Sequence, residues 1–488
     1  MTSITDSLVE LGQRAYDRGD MAEAENLFRR AHAAGRNDVE VLHFLGFLAR
    51  ARDDLTDAGN FYAAALARSP TDAQLHNNLA EVRRAQGRDA EAIALYRRAT
   101  RLDPEKAEIH ANLGSLLMAL RRPEEALPSL DRALELNPTL LALHSDAAVA
   151  NCALGRFEGA LEHYQAAIRA QPSNANARYL EALALLALGD FSRGWRKHEA
   201  RWYAELGQDK RRTFPQPYWL GEDSLAGRTI LLHQEQGFGD TVQFLRYVPM
   251  VAARGATVLV EVLAPLTRLV AEMPNVAGVS NREEIPPHFD MHCSLMSMPR
   301  AFRTGIDTIP AAVPYLRAPP SQIAEWRDRL GSPRGVRRIA FAWSGSVGGA
   351  WNRNMDLKFL LPLFERTDCE FHVAQIGVLD EEYDQLRAAP GVIDHSRTIE
   401  DFADVAALVS LVDMVISVDT ALAHLAGAMG SPVWTMLPLG ADYRWMTHRL
   451  DTPWYPTMRL FRQQRMNDWP GVVADIGRAL DSLPRADE

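Results

Sequence analysis

The sequence predicts a helical repeat solenoid followed by an α/β region of two lobes, each built on a parallel sheet. Landmark residues recur every 34 positions from about residue 5 to about residue 208. Short apolar runs then alternate with helical segments up to the C-terminus, the pattern of parallel βαβ units. A proline-rich stretch, VPYLRAPPSQ, divides this second pattern in two. We therefore expect a solenoid over 5–208, a connector over 209–225, an N-terminal lobe over 226–320 and a C-terminal lobe over 333–488.

Composition and charge exclude several classes of protein. The chain has 488 residues, of which 47% are hydrophobic and 24% charged, as in soluble globular proteins. The net charge of −10 argues against nucleic acid as a partner. No apolar stretch approaches the roughly 18 residues of a spanning helix, and no secretory signal is visible, so we expect no membrane span and a cytoplasmic location. Cys152, Cys293 and Cys369 are far apart, which predicts neither disulfides nor a metal site.

The 34-residue unit has fixed small and helix-breaking positions. Alanine recurs at Ala24, Ala58, Ala92, Ala126 and Ala160, and proline closes units at Pro70, Pro104, Pro138 and Pro172. Alanine allows helix backbones to approach closely, and proline ends a helix because it has no N–H to donate. One unit cannot bury its own apolar face, so neighbouring units are expected to stack into a solenoid with a concave groove. The pattern resembles the tetratricopeptide repeat, with six units.

Two features of the repeats bear on function. In the sixth unit the positions that hold alanine in the other units hold Gly194 and Arg201, which predicts a cap that docks onto the next domain.

Asn78 and Asn112 occupy the same position of successive repeats, and Asp146 occupies that position in the next repeat. In O-GlcNAc transferase, which this layout resembles, asparagines before the leucine–glycine pair line the groove and hold an acceptor's backbone, since an amide both donates and accepts hydrogen bonds. The resemblance implies an acceptor groove at Asn78 and Asn112, and a solvated helix face is the alternative.

The first candidate site segment is HQEQGFGDTVQFLRY, residues 233–247. Gly237 and Gly239 follow a strand and precede a helix, where glycine allows a ligand close to the backbone. The segment is not a dinucleotide fingerprint, because Val242 stands at the third glycine position. Asp240 at the helix start is a candidate general base for an acceptor hydroxyl. A helix N-terminal capping role is the alternative for that carboxylate.

The second candidate segment is ISVDTALAHLAGAMGSPVW, residues 416–434. A strand ends at Asp419, and Thr420 opens a helix whose free N–H groups are a ready phosphate site. His424 lies one turn further along the same helix face, within reach of a phosphate or a sugar hydroxyl. A buried core histidine is the alternative.

The third candidate segment is AWSGSVGGAWNRNMDL, residues 342–357, a strand followed by a glycine- and serine-rich loop. Asn352, Arg353 and the loop amides are suited to hold a diphosphate, and Arg353 would offset the charge of a departing nucleoside diphosphate. An exposed loop arginine is the alternative. The sequence has no DxD motif and no cysteine pair, so we expect a mechanism without metal or other cofactor.

The second half of the chain resembles family 9 heptosyltransferase-like glycosyltransferases, in the subset fused to tetratricopeptide repeats. The matching stretches are EQGFGDTVQFLRY, SLMSMPRAF, DFADVAALVSLVDMVISVDTALAHLAGAMGSPVW, DYRWM and TPWYPTMRLFRQ. The resemblance implies a GT-B fold of two Rossmann-like lobes and inverting transfer from a nucleotide sugar. It implies that Asp240 is the base and that Asp419, Thr420 and His424 bind the donor's sugar and phosphates. Arg353 is the nearest match to the family's basic phosphate ligand, although fused members often read DRNRS where this chain reads WNRNMD.

Three functions are compatible with these features. The first is a cytoplasmic glycosyltransferase that modifies a protein Ser or Thr hydroxyl, with the solenoid choosing the acceptor; flagellin is a specific candidate, because some resembling fusions modify flagellins. The second has the same chemistry but acts on a lipopolysaccharide or surface-polysaccharide precursor. The third is a binding scaffold with a degenerate transferase domain. A solenoid is superfluous for a small saccharide acceptor, which favours the first.

Overall fold

A computed structural model describes residues 4–205, 211–332, 335–345 and 353–484. The chain divides into two compact units, and the division lies between Asn151 and Cys152. Within the described ranges, no helix is long and apolar enough to span a bilayer.

The first unit consists of paired helices. Their bounds are α1 (Ile4–Asp17), α2 (Met21–Ala33), α3 (Val39–Ala51), α4 (Leu55–Arg68), α5 (Ala73–Ala85), α6 (Asp89–Leu102), α7 (Ala107–Ala119) and α8 (Pro123–Leu136), followed by α9 (Leu141–Ala153), which crosses the division. The alanines and prolines that recur every 34 residues lie where the sequence predicts them. The first four alanines of that series are fully buried, and Pro70, Pro104 and Pro138 each come two residues after a helix ends. The helical repeat solenoid is confirmed.

Close helix packing explains the glycines of the repeat. A Cβ atom at Gly114 in α7 would stand 2.6 Å from Leu130 Cδ2 in α8, and one at Gly46 would stand 2.8 Å from the ring of Tyr62. These distances are too short for any side chain. The two helices of a unit therefore approach closely because the sequence places glycine where they cross.

The second unit begins with three more repeat helices and continues into two sheets. The helices are α10 (Phe157–Ala170), α11 (Ala175–Ala187) and α12 (Phe191–His198). The N-terminal lobe has β1 (Thr229–His233), β2 (Thr257–Val262), β3 (Gly278–Asn281) and β4 (Met291–Ser294), with α13 (Phe238–Phe244), α14 (Val248–Ala252), α15 (Thr267–Ala271) and α16 (Met298–Ala301) between and after them. All strand pairs of this sheet are parallel, and the order is β3-β2-β1-β4.

The C-terminal lobe repeats this arrangement on a larger scale. After α17 (Pro320–Leu330) come the strands β5 (Arg337–Ala342), β6 (Cys369–Val373), β7 (Val392–Asp394), β8 (Met414–Val418), β9 (Val433–Leu437) and β10 (Met458–Arg462). The helices of the lobe are α18 (Leu361–Phe364), α19 (Asp380–Ala388), α20 (Phe402–Val409), α21 (Ala421–Ala428) and α22 (Trp469–Asp481). The six strands are parallel in the order β10-β9-β8-β5-β6-β7, and each sheet is Rossmann-like, as expected.

The strand order fixes where ligands bind. In the six-stranded sheet the chain runs one way from β5 to β7 and then returns to the other side of β5 at β8. The loops after β5 and β8 therefore diverge and leave a crevice at the carboxyl ends of these strands, the place where open α/β sheets bind ligands. The second and third candidate segments lie at these two strand ends.

The last repeat is joined to the N-terminal lobe by a buried ion pair within the second unit. The Arg201 guanidinium, 1% exposed, meets both carboxylate oxygens of Glu235, each at 2.8 Å. It also donates to Glu199 Oε1 at 2.9 Å and to Ser297 Oγ at 2.7 Å. The compact unit therefore includes the repeat helices that precede the predicted boundary at residue 208.

The segment predicted to be a connector also contributes to the N-terminal lobe, since the Trp219 backbone N–H donates to His292 O at 2.8 Å. The exact domain boundaries stay a prediction.

Candidate functional site

One cavity of about 460 Å³ lies at the carboxyl ends of β5 and β8. Its walls include Gly237, Gly239 and Asp240 from the N-terminal lobe, and Arg353, Asp419, Thr420 and His424 from the C-terminal lobe. The three candidate segments, far apart in the sequence, thus meet around one space within the second unit. Asn352 lies outside the described residues.

Asp419 and Thr420 form the floor at the end of β8. Thr420 is the N-cap residue of α21, yet its side chain makes no capping hydrogen bond in the described structure. Its hydroxyl instead pairs with Ser417 Oγ at 2.8 Å. The first-turn N–H groups of α21 are therefore left without a side-chain cap beside the cavity, as in helix termini that bind phosphates.

Asp419 is a buried carboxylate held between two cationic or polar partners. Burial alone would raise its pKa, but the hydrogen bond from His424 and the charge of Arg353 lower the pKa to about 2. His424 Nε2 lies 3.6 Å and Arg353 Nη1 lies 3.8 Å from its carboxylate oxygens. Asp419 is thus anionic at neutral pH and orients both side chains.

His424 is fixed on every side. Its ring stacks on Trp445 with centroids 5.2 Å apart, and its Nδ1 pairs with Tyr455 OH at 2.9 Å. Gly239 packs directly against it, because a Cβ there would stand 2.8 Å from His424 Cδ2. Glycine at this position allows α13 of one lobe to contact α21 of the other.

Arg353 is the cation closest to the floor. Its side chain is about one third exposed, at 34%, and its Nε is buried without a hydrogen-bond partner among the described residues. A buried N–H without a partner favours a ligand that supplies an acceptor, such as a phosphate oxygen.

Asp240 lines the cavity, and both of its carboxylate oxygens already have a partner within the protein. Its Oδ2 accepts from the Gly237 N–H at 2.9 Å, the capping contact that the sequence left as an alternative. Its Oδ1 pairs with Arg444, which also donates to Asp442 Oδ1 at 2.7 Å and to Gln243 Oε1. Burial disfavours the Arg444 charge, but the two carboxylates raise the pKa of Arg444 well above its usual value. A carboxylate oxygen retains a second acceptor position, so this pairing leaves Asp240 able to receive a proton.

The start of α20 and the two residues before it also line the cavity. Phe402 packs on Phe238 with ring centroids 4.9 Å apart, and Asp401 pairs with Arg268 of α15. Both contacts cross from one lobe to the other. Ile376, after β6, also lines the cavity and is 54% exposed, an apolar surface available to a planar ring.

Sequence reasoning missed Arg444, Trp445 and Tyr455 as site residues. The stretches DYRWM and TPWYP that contain them were matched to the family, but nothing in their spacing assigned them a role. Their contacts with Asp240 and His424 depend on loops that bring together residues far apart in the sequence, such as Arg444 and Asp240, which are 204 positions apart. The family resemblance was therefore the signal that could have located them.

The predicted acceptor asparagines lie in the first unit and are hydrogen-bonded. Asn78 is 9% exposed, and its amide contacts Gln74 at 2.9 Å and His43 Nε2 at 3.0 Å. Asn112 donates to Asn77 Oδ1 at 3.0 Å. The column forms a polar ladder between adjacent repeats, and its acceptor-binding role stays a prediction.

The cysteines and possible metal ligands are scattered. Cys152, Cys293 and Cys369 are free thiols. In the part of the chain that the structure describes, no three His, Cys, Asp or Glu side chains are grouped to hold a metal ion. The expectation of a mechanism without a metal or cofactor stays a prediction.

Comparison with known families matches both halves of the chain. Residues 9–73 and 107–140 match tetratricopeptide repeat families, and residues 80–120 and 150–189 match the TPR repeat. Residues 400–438 match glycosyltransferase family 9 (heptosyltransferase). That segment contains β8, the floor residues Asp419 and Thr420, and His424.

Individual relatives are more distant. The chain is 28% identical over 311 residues to Protein FlbA of Caulobacter vibrioides, an alignment of 59% of this chain and 52% of that protein. The chain thus spans about half the length of this curated relative. Solved structures that it resembles include YrrB, described as a TPR protein with an unusual peptide-binding site (23% identity, 36% of this chain, 88% of that one, TM-score 0.32). Pseudomonas aeruginosa pilF is another (20% identity, 40% and 88%, TM-score 0.34).

The family matches and the site geometry agree in position. The cavity of about 460 Å³ is lined in part by the segment that matches family 9, and the repeat families cover the helix pairs that precede it. The N-terminal part of the chain thus contains segments that match tetratricopeptide repeats, and the C-terminal lobe contains a segment that matches glycosyltransferase family 9.

Proposed function

We propose that this protein transfers a sugar from a nucleotide sugar, with inversion, to a Ser or Thr hydroxyl of a polypeptide. The observation that carries the proposal is the cavity that gathers Asp240, Arg353, Asp419, Thr420 and His424 at the strand ends of β5 and β8. Its volume of about 460 Å³ lies within the usual range for small-molecule sites.

The donor occupies the C-terminal lobe. Its diphosphate lies between Arg353 and the uncapped N-terminus of α21, where a guanidinium and backbone N–H groups stabilise negative charge. His424, oriented by Asp419 and Tyr455, donates to the sugar or to the phosphate nearest to it. No metal or organic cofactor takes part.

The transfer is a single displacement. The acceptor oxygen forms a bond to the anomeric carbon, its proton passes to the Asp240 carboxylate, and the bond from that carbon to the diphosphate oxygen breaks. The electron pair leaves on the nucleoside diphosphate, whose charge Arg353 and the α21 amides stabilise. A base and a leaving-group site on opposite lobes fit one displacement, which inverts the anomeric configuration.

The acceptor is selected by the repeats. Tetratricopeptide solenoids present an extended concave surface, which suits a polypeptide better than a small saccharide. Flagellin is one candidate acceptor. The reaction takes place in the cytoplasm, a reducing compartment that suits three free cysteines.

Intact-mass measurement of purified flagellin, incubated with the full chain and a nucleotide sugar, tests the proposal. We expect the mass of one or more sugar residues to be added by wild type and by the control Asp384→Asn, whose side chain is 86% exposed. We expect no addition by Asp240→Asn, although this variant still binds the donor. Full activity of Asp240→Asn would contradict its role as the base. If the sugar is added to a lipopolysaccharide precursor but not to flagellin, the acceptor is a saccharide and not a polypeptide.

A further inference from the structure

A second cavity, of about 390 Å³, lies beside the last repeat helix in the second unit. Three segments line it: α12, residues 220–222, and residues 300–305 at the end of α16. It shares no lining residue with the candidate donor cavity. The family 9 segment at 400–438 contributes nothing to it.

The cavity is lined by three arginines. Arg196, Arg300 and Arg303 all contribute, and among the described residues none of the three forms an ion pair with a carboxylate. Arg196 Nε donates only to Ser192 O, at 3.0 Å. Glu222 is the one acidic side chain of the described lining, so the cavity has an excess of positive charge in a protein of net charge −10.

Two buried aromatic side chains line the same cavity. Phe191 and Trp195 contact each other with ring centroids 5.9 Å apart. Each is only 2% exposed, so the two rings present a small apolar surface to the cavity. A ligand that fits must supply acceptors for the arginine N–H groups, and an apolar group beside them can contact this small surface.

We propose that this basic cavity binds an acidic side chain of the polypeptide acceptor. The Asp or Glu carboxylate pairs with Arg300 and Arg303, which offer the planar fork that carboxylates fit. A neighbouring apolar side chain packs on Phe191 and Trp195. The inference rests on the proposed function, because it adds a sequence preference to a polypeptide acceptor: an acidic residue next to an apolar one.

Two observations favour a peptide over a phosphorylated saccharide. The small ring surface of Phe191 and Trp195 offers no advantage to a hydrated phosphate, whereas the end of an apolar side chain can contact it. Glu222 repels a phosphate dianion more strongly than a carboxylate of single charge. The cavity is also lined by α12, the last repeat helix, and tetratricopeptide repeats are structures that bind polypeptides.

The test is direct binding to the full chain of two short peptides that differ only in charge. The probes are Gly-Ser-Glu-Phe-Glu-Ser-Gly and Gly-Ser-Gln-Phe-Gln-Ser-Gly, each with a fluorinated phenylalanine followed by ligand-observed ¹⁹F NMR. We expect the acidic peptide to bind at least tenfold more tightly than the neutral one. We expect Arg300→Gln and Arg303→Gln each to weaken its binding about tenfold. Arg465→Gln, which removes the same charge from a side chain that is 85% exposed, should leave binding unchanged.

Each other outcome overturns the inference. Equal binding of the two peptides, binding unaffected by the arginine variants, or no binding of either peptide contradicts it. Phenyl phosphate that binds through Arg300 and Arg303 while the acidic peptide does not would assign the cavity to a phosphorylated ligand instead. Binding of nucleotide sugars, measured separately on the same samples, distinguishes the two proposals. If the protein binds the acidic peptide more tightly than the neutral one but binds no nucleotide sugar, the proposed function is refuted, while the assignment of the basic cavity to an acidic side chain stands.

Discussion

Charged side chains of opposite sign lie next to each other in the cavity. At the proposed donor site, Asp419 lies between His424 and Arg353. At the proposed base, Arg444 bridges Asp240 and Asp442. Each carboxylate is thus oriented by a cation before any ligand arrives, an arrangement that costs little reorganisation during a reaction. The second bridge crosses between the lobes, because Arg444 belongs to the C-terminal lobe and Asp240 to the N-terminal lobe.

Arg444 is therefore expected to position Asp240 without contacting the donor diphosphate. Arg444→Gln should lower turnover at least tenfold and change donor affinity less than twofold, because the carboxylate loses its orienting partner. Steady-state kinetics with separate donor titration measures the two effects. Arg387→Gln, a change at a side chain that is 70% exposed, is the control. A variant that loses donor affinity and keeps its turnover would place Arg444 on the donor instead.

Gly239 gives a second prediction at this scale. Gly239→Ala would place a methyl group 2.8 Å from His424 Cδ2 and 3.6 Å from Ala421 Cα, so the lobes or the histidine must move. We expect donor affinity to fall at least tenfold, measured by calorimetry. Gly477→Ala is the matched control, since its Cβ would meet only Leu363 Cδ2 at 3.7 Å, an ordinary contact. Equal donor affinity of the two variants would show that this approach is not needed for binding.

At the scale of elements, each sheet contains a pair of buried neutral histidines. His233 of β1 and His292 of β4 are 3.2 Å apart, and His372 of β6 and His395 after β7 are 3.0 Å apart. Burial is the main reason that the pKa falls to about 3 in His233 and to about 4 in the other three. Each pair joins residues of neighbouring strands or of the segment that follows one of them.

These pairs predict how stability depends on pH. In the unfolded chain these histidines have a pKa of about 6.5 and become protonated below that pH, whereas in the folded protein they stay neutral. The free energy of unfolding must therefore fall as the pH falls from about 7 toward 4. Denaturant unfolding at several pH values measures the slope. His372→Gln should reduce that slope, because one titrating group is lost, whereas His288→Gln, at an 86% exposed side chain, should not. An unchanged slope in His372→Gln would contradict the assignment.

The sequence predicted most elements because their patterns are local. Periodic alanines and prolines define the helix pairs, and uninterrupted apolar runs define strands such as β1, β2 and β8. The short strands β3 and β7, of four and three residues, have too few positions to form a pattern. The ion-pair partners of Asp240 and Glu235 could not be predicted from local sequence patterns. Arg444 is 204 positions away from Asp240, and Arg201 is 34 positions away from Glu235.

At the scale of the whole molecule, the repeat helices are divided between the two compact units. The last repeat helices belong to the second unit, where Arg201 neutralises the buried Glu235 at the start of the glycine loop. Trp195 of α12 packs there against Phe244 and Trp454, one from each lobe. The last repeat is thus a structural part of the site's framework.

Two truncations test this organisation. Residues 141–488, which keep α9 whole, should fold cooperatively and bind donor within about twofold of the full chain. Residues 209–488 lose Arg201, which pairs with Glu235, and also lose Trp195, which packs on Phe244 and Trp454, so we expect a much lower Tm or no folding. Thermal unfolding of both measures the difference. Equal melting of the two truncations would contradict a structural role of the last repeat.

The central claim is that the cavity at the strand ends of β5 and β8 binds a nucleotide sugar. The most direct measurement is a thermal-shift panel of UDP, GDP, ADP, dTDP and CMP sugars with wild type, Arg353→Gln and the control Arg387→Gln. A ligand at a hundredfold excess over its Kd stabilises the folded protein by about 2.7 kcal/mol. We predict that one nucleotide class raises the Tm of wild type and of the control, and that Arg353→Gln loses most of this shift. No shift with any donor, or an equal shift in Arg353→Gln, would contradict the assignment of the site.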